Sequence, residues 1–312
     1  MMFCLRAMMV GLGFFGVLYC LLSLPVVCAW RSTRLLCPDS CATQARLLFA
    51  VRIFPLLGSA LITIVFALPA FLLLERGPVD EDFGTVLFSV CTILLVAAGL
   101  FRVAMARSKT SRVIEGWTKG AQALDAGAIA PTVQIRRGPP LLLYGISKPR
   151  VLASETAVAL LSKGELRVAF RHEIGHLRSR DNLKKMLFHA ASFPGMASLN
   201  QAWQDAAEFA ADEAAVSNCE EAVDLASALI KLADMSPLEQ TPAFTTGLLD
   251  RSALVRLRVQ RLLDWENASS PTALRRWWFV PSLLPLALFC YSVAHYGQFL
   301  VFTHQFTEWF IH

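Results

Sequence analysis

His172-Glu173-Ile174-Gly175-His176-Leu177-Arg178-Ser179-Arg180-Asp181-Asn182-Leu183-Lys184-Lys185-Met186-Leu187 is the stretch on which the reading of this chain turns. Residues four apart share one face of a helix, so His172 and His176 can present imidazole nitrogens to a single ion. Glu173 lies about 100° round the same helix, where its carboxylate can take a proton from a water on that ion. Zinc accepts nitrogen ligands at about 2.0–2.1 Å, and a catalytic zinc keeps three protein ligands and one open position. The spacing predicts His172 and His176 as metal ligands and Glu173 as a general base. The plain alternative is two histidines and a glutamate on a solvated helix face.

Downstream, Trp203-Gln204-Asp205-Ala206-Ala207-Glu208-Phe209-Ala210-Ala211-Asp212 carries a second pair of residues four apart, Glu208 and Asp212. Glu208 is the candidate third ligand, and Asp212 is placed to hold the far nitrogen of a ligand histidine. Asp205 and Glu213 compete with them on the same helix. The alanines around Glu208 favour a packed, inward-facing helix over a solvated one. His189 falls on another face of its helix from His172 and His176 and reads as structural.

The rest of the 312-residue chain is unusually apolar: 55% hydrophobic, 17% charged, with a mean hydropathy of +0.50. A soluble domain carries about a quarter charged residues, so a disordered tail, a collagen and an ordinary cytosolic enzyme all fit poorly. Four stretches lack Asp, Glu, Lys and Arg for long enough to cross a bilayer: residues 8–30, 53–74, 83–101 and 277–303. The first loop carries Arg31, Arg34, Arg46 and Arg52 against Asp39. The loop after the second stretch carries Glu75, Asp80, Glu81 and Asp82 against Arg76. Arg102, Arg107, Lys109 and Arg112 follow the third stretch, and Arg275 and Arg276 precede the fourth. The positive-inside rule then puts the first loop and the region up to Arg276 in the cytosol, with both termini outside. A multi-pass protein of the inner (plasma) membrane is expected, in contact with the lipid bilayer. The net charge of +5 follows those arginines and gives no continuous face for nucleic acid, so no direct nucleic-acid binding is expected.

Gly11, Gly13 and Gly16 spell a dinucleotide-binding fingerprint, but within an apolar span they read as small residues that ease helix packing. Cys37 and Cys41 flank a short loop in which a clip is conceivable, although one such pair is not a zinc pattern. His295 lies inside the fourth stretch and reads as facing a helix bundle. The fold class is mainly α: four transmembrane helices and a cytosolic, mostly helical domain with a small β element. Residues 1–106 form the membrane domain, 107–276 the cytosolic domain, and 277–312 the fourth span with a short external tail. Within 107–276, helices are expected at 111–126, 154–161, 165–190, 199–217, 220–234 and 251–265. Short strands are expected at 132–137 and 141–146.

The run His172 to Leu187 followed by Glu208-Phe209-Ala210-Ala211-Asp212 resembles the gluzincin-type membrane metallopeptidases, the BlaR/MecR-type antirepressor peptidases and their HtpX/prenyl-protein-protease relatives. Three spans, an insert and a fourth span are more similar to the BlaR/MecR type, as is Gly145-Ile146-Ser147-Lys148-Pro149-Arg150-Val151-Leu152. The specific motifs cover residues 141–216. The resemblance implies a zincin-like metallopeptidase domain with one Zn²⁺, ligands His172, His176 and Glu208, base Glu173, and Asp212 as an outer partner. It gives Asp181 a supporting role at the active-site helix and makes Arg251 a weak candidate for steadying an oxyanion. It implies a protein or peptide substrate, such as a cytosolic transcriptional repressor or the chain itself. The alternatives are HtpX-like quality control and a non-catalytic, zinc-braced signal transducer. With nine residues after the fourth span, the receptor members' β-lactam-binding sensor is not expected. Strand 141–146 is expected to offer an edge to an extended substrate.

Overall fold

A computed structural model describes residues 2–33, 40–74, 83–124, 131–136, 138–235, 243, 245–247, 252–265 and 295–311. The chain is mainly helical with one small sheet. Three helical stretches are long and apolar enough to cross a membrane: Leu5–Arg31, Cys41–Leu74 and Phe83–Thr118. Most of the fourth expected span, residues 277–294, lies outside the described residues, as does the hairpin loop 75–82. The fold divides into two compact units, one of Met1–Arg34, Ala50–Gly99 and Pro271–His312, the other of Leu35–Phe49 and Leu100–Ser270.

The first unit holds α1 (Met2–Thr33), most of α2 (Cys41–Ile62), a π-helical turn at Thr63–Ala67, α3 (Leu68–Leu74) and the first half of α4 (Phe83–Thr118). Here the glycines of α1 act as spacers. A Cβ on Gly11 would meet Leu68 Cδ2 at 2.8 Å, one on Gly13 Ser89 Oγ at 3.2 Å, and one on Gly16 would run into Thr92 Oγ1. Ser89 uses that closeness to donate to Met9 O at 2.6 Å. The apparent nucleotide fingerprint is therefore a helix-packing seam. Arg46 and Arg52, read as loop charges, lie within α2, where Arg52 is buried and hydrogen-bonds Tyr19. Cys41 is a free thiol in the first turn of α2, and Cys37 lies outside the described residues.

The second unit carries β1 (Gln122–Leu124), β2 (Thr132–Ile135), β3 (Leu141–Tyr144), β4 (Arg150–Ser154), α5 (Glu155–Leu160), α6 (Lys163–Ser179), α7 (Asp181–Ala190), α8 (Ala197–Ala215), α9 (Cys219–Met235), β5 (Thr245–Gly247) and α10 (Ser252–Leu263). Helix α11 (Tyr296–Ile311) returns to the first unit, where Tyr296 donates its hydroxyl to Val65 O at 3.0 Å. Pro69, four residues on, has no N–H to offer that carbonyl.

The sheet order is β1-β2-β4-β3-β5, antiparallel except for the parallel pair β2 and β4. Successive side chains of a strand face opposite ways, and both faces here are covered. Leu141 and Leu143 enter a core with Val168, Ala169, Leu225 and Leu229, whereas Leu142 packs with Ile114, Ile135 and Leu152. That is why Leu141-Leu142-Leu143 is apolar without alternation.

Three further expectations need correction. The expected helix 111–126 is the far end of α4, which runs unbroken from Phe83 to Thr118; Gly120, at φ +76°, then turns the chain into β1. The expected helix 165–190 is two helices, parted at Arg180, a non-glycine residue at φ +56°. Strand β3 is not an edge: β5 pairs with it through Leu142–Gly247, Leu143–Thr246 and Tyr144–Thr245.

The seam of α1 gives a first test. Gly16→Val forces a side chain into Thr92, and overpacking of this kind costs about 1–3 kcal/mol. The thermal unfolding midpoint of the detergent-solubilised protein should fall, and Thr92→Ala in the same chain should restore part of the loss.

Candidate metal centre

Helix α6 is fixed at its first turn before it delivers its histidines. Ser162 accepts from Glu165 N, and Glu165 accepts from Ser162 N at 2.8 Å, a reciprocal capping box. The same carboxylate takes Ser227 Oγ at 2.6 Å and Lys231 Nζ at 2.7 Å from α9. Burial opposes its ionisation, but the Lys231 and Ser227 hydrogen bonds outweigh that and hold Glu165 down at about 2.

Two turns further on, His172, Glu173 and His176 are buried in the interior. Gly175 makes room for them: a Cβ there would sit 3.3 Å from Ala211 Cα, so α6 and α8 approach backbone to backbone. Glu208 of α8 completes the group, and the three residues each offer a ligand atom, all within 4.8 Å of one another. His172 Nε2 and His176 Nε2 are 3.2 Å apart. Glu208 Oε1 lies 3.4 Å from His176 Nε2, and Oε2 lies 3.5 Å from His172 Nε2. Ligands about 2.0–2.1 Å from a tetrahedral ion are about 3.3–3.4 Å from each other. The two imidazole nitrogens stand about one such edge apart, and each Glu208 oxygen stands about an edge's length from one of them.

Each histidine is held from behind by a carboxylate. Asp212 Oδ1 is 2.9 Å from His172 Nδ1, and Asp181 Oδ2 is 2.8 Å from His176 Nδ1. This fixes both rings with Nε2 turned towards the ion's place. The break at Arg180 returns the chain so that Asp181, five residues after His176, reaches its ring. Of the competing acids on α8, Asp205 accepts from Gln201 and Glu213 from Arg261, and neither joins the group.

Sequence reasoning missed Arg258. Arg251, the arginine it named, lies outside the described residues. Arg258 of α10 is buried and grips Asp212 with two hydrogen bonds, Nε to Oδ2 at 2.7 Å and Nη2 to Oδ1 at 2.6 Å. Its Nη1 lies 3.0 Å from Glu208 Oε2. The signal was present: Arg258 shares a helical stripe with buried Leu254, Val255 and Leu262, and a cation on an apolar stripe must face a buried anion.

The electrostatics suit a divalent cation. Four buried carboxylates, Glu173, Asp181, Glu208 and Asp212, face two cations, Arg258 and Lys184, leaving formally the charge that one such ion would balance. Burial works against imidazolium at His176, yet Glu208 and Asp181 outweigh it and raise its pKa to about 10. Burial also resists ionisation of Glu208, but the His176 charge and Arg258 hold its carboxyl well below the usual range. The field that keeps a proton on His176 is the field that attracts a metal in its place. Glu173 lies beside the ligands with Oε2 accepting from Leu143 N of β3 at 3.1 Å.

Elemental analysis of purified protein should find about one divalent ion per chain, the complement of two imidazoles and one carboxylate. His176→Ala should lose most of it, while Glu213→Ala should retain it; equal retention would refute the ligand set. No protein-family model matches the chain and no curated protein matches it, so the case for this centre stands on its geometry.

Proposed function

We propose that the chain is an integral membrane zinc metalloendopeptidase acting in the cytosol on a protein or peptide. The observation that carries this reading is the His172–His176–Glu208 triangle with Glu173 beside it. Two nitrogens and one carboxylate, each orientated from behind, suit zinc with one position left open. When bound, zinc supplies Lewis acidity, which brings water ionisation near neutral pH and polarises a peptide carbonyl.

The remaining work falls to side chains. Glu173 takes the proton from the attacking water and returns it to the leaving amine. Leu143 N keeps that carboxylate aligned from one side. Asp212 and Asp181 set the tautomers of the two imidazoles. Arg258 neutralises Asp212 and steadies Glu208 without adding a competing ligand.

The resemblance to BlaR/MecR-type peptidases supports regulatory proteolysis, of a repressor-like protein or of the chain itself. The second of these has its own support. Thr245–Gly247 runs antiparallel to β3, beside the strand residue that contacts Glu173, where an extended peptide would pair. An external substrate strand would have to displace it.

Glu173→Gln should retain zinc and lose at least about 10²-fold in cleavage rate, the usual worth of a general base. The readout is fragment appearance from the purified chain and from co-expressed candidate substrates. Retained cleavage would refute the peptidase reading, and retained signalling without any cleavage would favour the zinc-braced transducer.

The topology rests on arginine placement, with Arg102, Arg107, Lys109 and Arg112 all on α4 beyond the apolar run. Because α4 reaches Thr118, a reporter is best fused at Gly120. It should read cytosolic there and external at Asp80. The reverse result would put the centre outside and remove cytosolic regulators as substrates.

A further inference from the structure

Lys184 sits one turn into α7, beyond the ligands, and its ammonium lies 3.0 Å from Asp181 Oδ1. Asp181 is thereby held at both oxygens, since Oδ2 is engaged with the His176 ring. The Lys184 side chain is only 18% exposed. Its other face is aromatic: the ammonium lies 5.5 Å from the Phe49 ring centroid and 5.7 Å from that of Trp203. Phe188 closes the cage, 5.8 Å from Phe49 and edge-on to Trp203 at 4.9 Å.

Three helices meet at this cation. Phe49 comes from α2, Lys184 and Phe188 from α7, and Trp203 from α8, five residues before the ligand Glu208. The first turns of α2 belong structurally to this unit, for Cys41, Ala45 and Leu48 are buried at helical spacing. Beyond Phe49 the same helix continues into a candidate membrane span. A lysine on a flexible stem would otherwise turn towards water, leaving Asp181 with one partner and a free rotation. A cation in front of two ring faces is held where it stands.

We propose that Lys184, Phe49 and Trp203 are positioning residues of the metal centre: the rings hold Lys184 on Asp181, and Asp181 holds the ligand His176. Helix α2 then sets part of the metal affinity from a distance, through Phe49. The inference rests on the metal-centre reading and deepens it.

The test uses the full chain in detergent, with zinc affinity read by chelator competition and ligand geometry by the visible spectrum of the Co²⁺-loaded protein. Lys184→Met should weaken zinc about tenfold, the lower end for loss of an outer partner, and shift the Co²⁺ bands. Phe49→Leu keeps apolar bulk but removes the ring face, and should weaken zinc about twofold to fivefold. Phe49→Trp should bind as the unaltered chain does. Unchanged affinity and spectrum in both Lys184→Met and Phe49→Leu, with the unaltered chain binding zinc, would overturn the proposal. So would a Phe49→Leu loss that tracks a fall in metal-free thermal stability and is not restored by Phe49→Trp. An unaltered chain that binds no zinc would overturn the metal centre itself, and the proposal with it.

Discussion

Four carboxylates crowd around two imidazoles in the interior of one small unit, and much of its local structure is arranged to make that tolerable. A buried charge left without a partner costs about 3–5 kcal/mol, a large share of any domain's stability. Each acid therefore has a counterpart, some of them shared: Asp181 has His176 and Lys184, Asp212 has His172 and Arg258, Glu208 has both imidazoles and Arg258, and Glu173 has the N–H of Leu143. The left-handed Arg180, the missing side chain at Gly175 and the arginine on the apolar stripe of α10 serve these pairings. A site stripped of one partner exposes the penalty on the next.

The helices that deliver the acids are themselves anchored by ordinary means. Glu165 ties the first turn of α6 to α9, so the histidine-bearing face has little freedom to rotate. The sheet contributes a rigid floor, with Leu141 and Leu143 in the core beneath α6 and Leu142 on the far side. Helices α2 and α4 each pass without interruption from one compact unit into the other. The border between apolar and mixed composition is therefore not a border between secondary-structure elements.

What the sequence made legible follows from the range of the forces involved. Features set within one helix could be read: the shared face of His172 and His176 and the apolar lengths of the first three spans. That Glu208 would stand with the two histidines was legible because Asp212 repeats the spacing of four on an alanine-rich helix. Contacts between distant segments were not. Strand β5 is three residues long and is defined only by its partner β3, so no periodicity announces it. The helix at 111–126 was misjudged because the charged residues from Arg102 to Arg112 end the apolar run of α4 without ending the helix, which has no proline to break it. Arg258 was passed over for Arg251 since seven residues, two helical turns, look alike until burial is known.

Arg258 also sets an order of events on the ribosome. Asp212 leaves the exit tunnel 46 residues before the guanidinium that grips it, and His172 precedes Arg258 by 86. During that interval the two histidines, Asp181 and Glu208 are already in the chain, while the cation that neutralises Asp212 has yet to be made. Until α10 has been made, Asp212 has no guanidinium to face, and its burial between α6 and α8 carries the cost of an anion short of one partner. The counter-charge of Asp212 is thus the last part of this cluster to be synthesised.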